Sequence, residues 1–261
     1  MTALRNVWAI VRKEWQHYFA SPIAYVLLFA WSILGGIFFS AYFWAYLERS
    51  VATAQQAEFG MKMSLNDLLF APVLNNMAVV ALFITPMLTM RLFAEEKRQG
   101  TIELLATAPL TDLQIVLGKF LAAVGFYAGM VVICFLNLLV VWGYADKPPE
   151  WRPIATGLLA VLLLGSALIS IGLFVSTLTK NQIIAAVVAF SLSLVMLVLG
   201  WFDSPTAGNF MKFVTYFGLT NHMEDLLKGV IDLKDVLFYL SVITFGIVLA
   251  HQSVESQRWR A

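Results

Sequence analysis

The chain has 261 residues, is 60% hydrophobic and 13% charged, and carries a formal net charge of +1 with a mean hydropathy of +0.80. A soluble domain is about one quarter charged, so this composition excludes an ordinary soluble domain and indicates an integral membrane protein. The small net charge gives no sign of a nucleic-acid partner, and the single cysteine, Cys134, lies in an apolar run where it reads as a packing residue with no disulfide partner.

Residues Leu4 to Phe19 come first. Leu4, Val7, Trp8, Val11, Trp15 and Tyr18 recur at helical spacing, with Arg5, Arg12, Lys13 and Gln16 on other faces. Tryptophan with basic residues predicts a helix over 1–20 lying in the inner membrane interface; the alternative is a leader helix packed on the protein. Ser21-Pro22 breaks the chain, serine as N-cap and proline at the first helical position.

Ionisable residues then cut the chain into six long charge-free windows: Tyr18–Leu47, Leu68–Met90, Phe120–Ala145, Pro153–Thr179, Asn181–Phe202 and Val236–Val254. A spanning helix needs about 20 apolar residues, and lipid admits only helices or closed barrels, for whose strands these windows are too long. We read an all-α polytopic protein, one transmembrane domain over 1–261, with spans at 23–47, 72–90, 112–142, 154–178, 183–201 and 233–250. Pro86 kinks the second span or ends it early. Thr111-Asp-Leu-Gln114 is a capping box that starts the third. Six spans put both termini on one side, and ten basic residues against seven place that side in the cytoplasm.

Small residues form two seams. Gly118, Ala122, Gly125 and Gly129 lie along one side of the third span, and Gly165 and Gly172 belong to a stripe in the fourth. Such seams serve close helix packing before anything else. Gly118-Lys119 only superficially resembles the end of a phosphate-binding loop, because Phe120 stands where Ser or Thr is needed. Residues 203–232 are too apolar for a solvated loop and too short for a span. Asn209–Phe217 and the stretch from Asn221 to Gly229 are read as two short helices at or partly within the outer membrane face.

The spans read as free of Asp, Glu, Lys and Arg in their interiors. That argues against an ion-coupled carrier, shows no charged or carbonyl filter, and leaves no metal-ligand set or catalytic triad. If the protein moves anything, the work arrives from outside the bilayer. The one dense knot of charge is the segment 91–109, with Arg91, Glu95, Glu96, Lys97, Arg98 and Glu103 in its first thirteen residues. Here the second span should run on past Arg91 until Gly100 stops it. Thr101 should cap a new helix over Ile102–Ala108, about 10 Å long, with Glu103 in its first turn, and Pro109 should end it. A helix this short does not stand alone in water, so Ile102, Leu104 and Leu105 need a groove, on this chain or on a partner.

Glu96-Lys-Arg-Gln-Gly-Thr-Ile-Glu-Leu-Leu105 with Pro109 resembles the segment between the second and third spans of type-2 ABC transporter permeases. Ser21-Pro-Ile-Ala-Tyr25, Val116-Leu-Gly-Lys-Phe120, Ser176-Thr-Leu-Thr-Lys-Asn-Gln182 and His222-Met-Glu-Asp-Leu-Leu-Lys-Gly-Val-Ile-Asp232 resemble the gliding-motility permease subunit, Gld F type. The resemblance covers essentially the whole chain. It implies that 91–109 is a coupling helix docking on a separate cytoplasmic ATPase through Glu95–Thr107, with Lys180 and Asn181 in a smaller second contact. It also implies a connecting helix at the N-terminus, two short re-entrant outer helices over 203–232, a second permease chain (a copy or a companion with a large extracytoplasmic domain), and ATP and magnesium held by the ATPase, none in this chain. The expected setting is the bacterial inner membrane, in contact with lipid. A non-transporting anchor or assembly subunit and a secondary carrier are the alternatives.

Overall fold

The computed structural model describes residues 2–55, 64–101, 110–144, 149–202 and 208–258. Among these the protein is all helix and turn, with no strand, and six helical segments are long and apolar enough to cross a membrane. Helix α1 (Thr2–Ala20) is followed after Ser21 by α2 (Pro22–Gln55), a π-helical turn over Asn66–Phe70 that leads into α3 (Ala71–Thr89), and the short α4 (Ala94–Gln99). Next come α5 (Asp112–Tyr144), α6 (Trp151–Leu178) and α7 (Gln182–Leu199), which ends in a 3-10 turn. The short α8 (Asn209–Thr215) and α9 (Glu224–Leu227) precede α10 (Leu233–Arg258). This is a multi-pass membrane protein. The helices outrun the charge-free windows because a helix continues into water beyond the apolar slab: α2 passes Glu48 and Arg49, and α10 passes His251 and Glu255.

Helix α6 is the axis, with α3, α5, α7 and α10 packed around it. Its small residues let the neighbours approach. A Cβ on Gly165 would fall 2.1 Å from Tyr127 of α5, and one on Gly172 would fall 2.1 Å from the Thr89 hydroxyl of α3. On the third side Gly246 of α10 sits against Ser170. The Tyr127 hydroxyl donates to the Val161 carbonyl at 3.1 Å, and Trp31 of α2 donates to the Met130 carbonyl at 2.7 Å. Both buried aromatic rings thus satisfy their polar atoms inside the bundle, as a hydrocarbon setting demands. Gly129, by contrast, has no atom within 4 Å of an added Cβ. Gly172→Ala is therefore expected to lose about 1–3 kcal/mol through overpacking, whereas Gly129→Ala stays at wild-type stability. Thermal melts of the two purified variants check this.

The end of the bundle opposite α1 and α4, here the distal end, is capped by 208–232. The Leu219 amide donates to the Met196 carbonyl at 3.1 Å, and an added Cβ on Gly218 would lie 2.4 Å from the Gly200 Cα, so two backbones touch. Thr156 and Asn66 donate to the carbonyls of Leu226 and Leu227 at 2.6 and 3.0 Å. Gly229, at φ +88°, ends α9 in the left-handed region that glycine adopts without strain. His222 and Asp235, both buried, meet at 2.7 Å under the rings of Tyr216, Phe238 and Tyr239. The His222 Nε2 faces the Tyr216 carbonyl at 2.9 Å. On the surface beside them, Asp232 accepts from the Lys234 amide, which lowers its carboxyl below the usual range.

Candidate functional site: a three-helix charge junction

The charged segment meets the bundle at the other, proximal end. Helix α1 runs alongside the first turns of α5. Asn6 donates to Gln114 at 3.2 Å, Trp15 Nε1 donates to the Ala122 carbonyl at 2.9 Å, and the Tyr18 and Phe126 rings lie 5.3 Å apart. Two glycines of the third-span seam make the approach possible, since an added Cβ on Gly118 would strike Ile10 and one on Gly125 would strike Trp15, each at 2.7 Å. The buried stripe of α1 takes Val11, Trp15 and Tyr18 from the apolar set but is turned away from its first members. Leu4 and Trp8 remain 80% and 62% exposed, while Glu14 is buried in the middle of the packed face.

Lys119 explains the shift. The sequence reading starts the third span at Asp112 but counts its charge-free window only from Phe120, and takes the span interiors to hold no charge. In the structure Lys119 lies inside α5, only 2% exposed, and donates to Glu14 of α1 at 2.8 Å and to Glu96 of α4 at 2.9 Å. Lys13 approaches Glu96 at 3.6 Å, and the Phe93 ring lies 5.1 Å beneath the Lys119 ammonium. A buried ammonium needs charged partners to offset the loss of its hydration, and two carboxylates from two different helices provide them. Three elements far apart in sequence are thereby tied to one nitrogen. Tyr18 stands beside this cluster, and burial first, then the Glu14 charge, pushes its phenol well above the usual range.

A second set of bonds fastens α4 to the end of α6. The expected continuous helix through Arg91 is broken over Met90–Phe93, and α4 starts anew. The cause is Ser176 of α6, whose hydroxyl accepts from the amides of Phe93 and Ala94 at 3.0 and 3.1 Å. It satisfies two of the N–H groups that a helix start leaves open, which Pro86, three residues before the end of α3, could not do. Lys97 donates to the Thr177 carbonyl. Gly100, at φ +72°, ends α4 as its sequence position suggests, and the Thr101 amide donates back to the Glu96 carbonyl at 3.0 Å, a left-handed helix stop. The capping box of α5 forms as read: Gln114 N bonds Thr111 Oγ1 at 3.3 Å, and Thr111 N bonds Gln114 Oε1 at 3.4 Å.

The residues singled out in the sequence therefore separate into groups. Glu96 and Lys97 turn inward to Lys119 and to α6. Glu95 faces a cleft beside α1 and accepts from Gln99 at 3.2 Å. Arg98 and Lys180 are exposed, and Asn181 caps α7 by accepting from the amides of Ile183 and Ile184 at 2.9 and 3.5 Å. Glu103, Leu104, Leu105 and the expected helix over Ile102–Ala108 lie outside the described residues. Glu14, Lys119 and Ser176 were not among the candidates. Glu14 and Lys119 sit 105 residues apart, and Ser176 reaches across 82 and 83, so no local pattern links them. An ionisable residue interrupting an otherwise apolar helix face was the one available signal.

No nucleophile with a base stands here, and among the described residues the only group of three or more side chains able to hold a metal is Asp225, Asp232 and Asp235, at the distal end with the Lys234 ammonium 3.0 Å from Asp232. The profile of the ABC-2 family transporter proteins matches residues 8–250. The chain belongs to this ABC transporter permease family. It is also similar to the "Probable multidrug ABC transporter permease YbhR" of Escherichia coli strain K12, with 27% identity over 148 residues, and to the protein of the same name in Escherichia coli O157:H7 at the same identity. The match covers 54% of this chain and 38% of the length of those relatives.

Proposed function

We propose that the chain is the membrane-spanning permease subunit of an ATP-driven ABC transporter of the gliding-motility, Gld F-like type, set in a bacterial inner membrane with both termini in the cytoplasm. A separate cytoplasmic ATPase holds ATP and magnesium, and 91–109 is the segment it grips. A second permease chain, a copy of this one or a companion, completes the complex. The complex either exports amphipathic cargo, in line with the multidrug designation of the relatives, or transmits force.

The observation that carries this reading is the Lys119 junction. A push on α4 reaches Glu96, and through Lys119 it reaches α5 and, through Glu14, α1. Ser176 and Lys97 pass the same push to α6, the most enclosed helix of the bundle. Buried charged hydrogen bonds transmit position well because there is no water to substitute for them. Within this scheme Glu96 is the internal lever, and Arg98, Lys180 and the residues from Glu103 to Leu105 form the outward contact.

The test is co-purification of the ATPase subunit with wild type and with the Arg98→Glu/Lys180→Glu variant, together with ATP hydrolysis in reconstituted vesicles. Reversal of two contact charges is expected to lower ATPase recovery about ten-fold or more, the effect of roughly 1.4 kcal/mol or above. Equal recovery and equal hydrolysis would remove the docking assignment, and transport driven by an ion gradient without ATP would favour a carrier.

A further inference from the structure

Between α1, the start of α2 and the end of α3 lies an open cleft of about 640 Å³, within the roughly 300–1,000 Å³ of small-molecule sites. Its floor is apolar, formed by Ala24, Leu27, Met87 and Leu88, and its rim is charged. Three polar atoms of its lining residues, Tyr18 Oη, Arg91 Nε and Glu96 Oε2, are buried without a hydrogen-bond partner. Buried polar atoms are normally satisfied, so the cleft presents a donor and acceptors awaiting a ligand.

Its charges say which ligand. Lys13 and Lys119 are matched by Glu14 and Glu96. That leaves one cation and one anion on the cleft unmatched among the described residues. Arg91 has the Ser21 hydroxyl at 3.1 Å and no carboxylate within salt-bridge distance, and Glu95 has the Gln99 amide and no cation. We propose that the cleft binds one zwitterionic phospholipid bearing a primary ammonium, of the phosphatidylethanolamine class. The phosphate sits on Arg91, the ammonium lies between Glu95 and the free oxygen of Glu96, and an acyl chain lies along the apolar floor. A guanidinium suits phosphate, and a primary ammonium offers three N–H donors where a choline group offers none. A headgroup with net negative charge brings no cation to Glu95, the one carboxylate of the cleft that has none. This site is independent of the transport reading.

The experiment is native mass spectrometry of the full chain in detergent with phosphatidylethanolamine, phosphatidylcholine, phosphatidylglycerol and soluble glycerophosphoethanolamine. Phosphatidylethanolamine is expected to be retained about ten-fold or more over the other three, the effect of one or two charge-assisted hydrogen bonds. Arg91→Ala should lower its retention by a similar factor. Glu95→Gln should abolish the preference over phosphatidylcholine while leaving overall phospholipid retention in place. Equal retention of the three lipids by wild type overturns the proposal. So does unchanged retention in a monodisperse Arg91→Ala variant, or equally strong capture of the soluble headgroup. Should Arg91→Ala not fold, the partly exposed Glu95→Gln decides alone: an intact preference for phosphatidylethanolamine overturns the site.

Discussion

Lys119→Met is expected to lower the stability of the purified protein by about 3–5 kcal/mol, because two carboxylates remain at the junction with no cation between them. For a chain of this size each kcal/mol shifts the melting temperature by about 2–4 °C, so the apparent melting point falls by roughly 6–20 °C. The triple variant Lys119→Met/Glu14→Gln/Glu96→Gln removes all three charges, and replacement of a whole buried ion cluster is often neutral or stabilising. It should recover most of the lost stability. On the proposed function it should not recover coupling, since neutral side chains no longer hold α1, α4 and α5 to one point, and ATP hydrolysis by the proposed complex would run without transport. A Lys119→Met melting point within about 2 °C of wild type, less than 1 kcal/mol by the same conversion, would show that the junction carries little energy. A triple variant with full coupling would show that it carries no motion.

At the distal end the comparable loss falls on His222. His222→Phe keeps a ring against Phe238, which lies 3.9 Å away and nearly parallel. It deletes the partner of a carboxylate that is 2% exposed and whose second oxygen already has no hydrogen bond. Stranding a buried charge in this way costs about 3–5 kcal/mol. His222→Phe/Asp235→Asn should lose less than His222→Phe alone, with a coupling energy between the sites of about 1–3 kcal/mol. The distal cap should loosen in the single variant, freeing the backbone beside the already exposed Lys212 and Lys228 to enter trypsin, and the rate of nicking after those residues is the second readout. Additive losses with unchanged proteolysis would assign the cap's stability to the backbone contacts of Gly200, Gly218 and Leu219 instead.

Much of the architecture is legible in the chain because each signal is local. Long windows without charge mark spans, since no other arrangement satisfies the backbone in lipid. Ser21-Pro22, the Thr111–Gln114 box and Gly100 act within one helical turn, and each appears in the structure where its chemistry places it. The fault in the window method lies at its edges. It treats every ionised residue as a boundary, so its third window opens only at Phe120, although the capping box starts the helix at Asp112 and Lys119 lies buried inside it. For the same reason α1 was read from its apolar stripe, when Glu14 lies at the centre of the face that packs.

Helicity, six segments long and apolar enough to span a membrane, and one charged segment between the second and third can all be read along the chain, because composition, hydrophobic length and helix punctuation depend only on near neighbours. The tertiary structure decided what that segment holds. Glu96 finds Lys119 across 23 residues, Glu14 finds it across 105, and the serine that starts α4 belongs to a helix more than 80 residues away. A buried charge takes whatever opposite charge the packing brings within about 3 Å of it, and only the packed helices specify which residue that is.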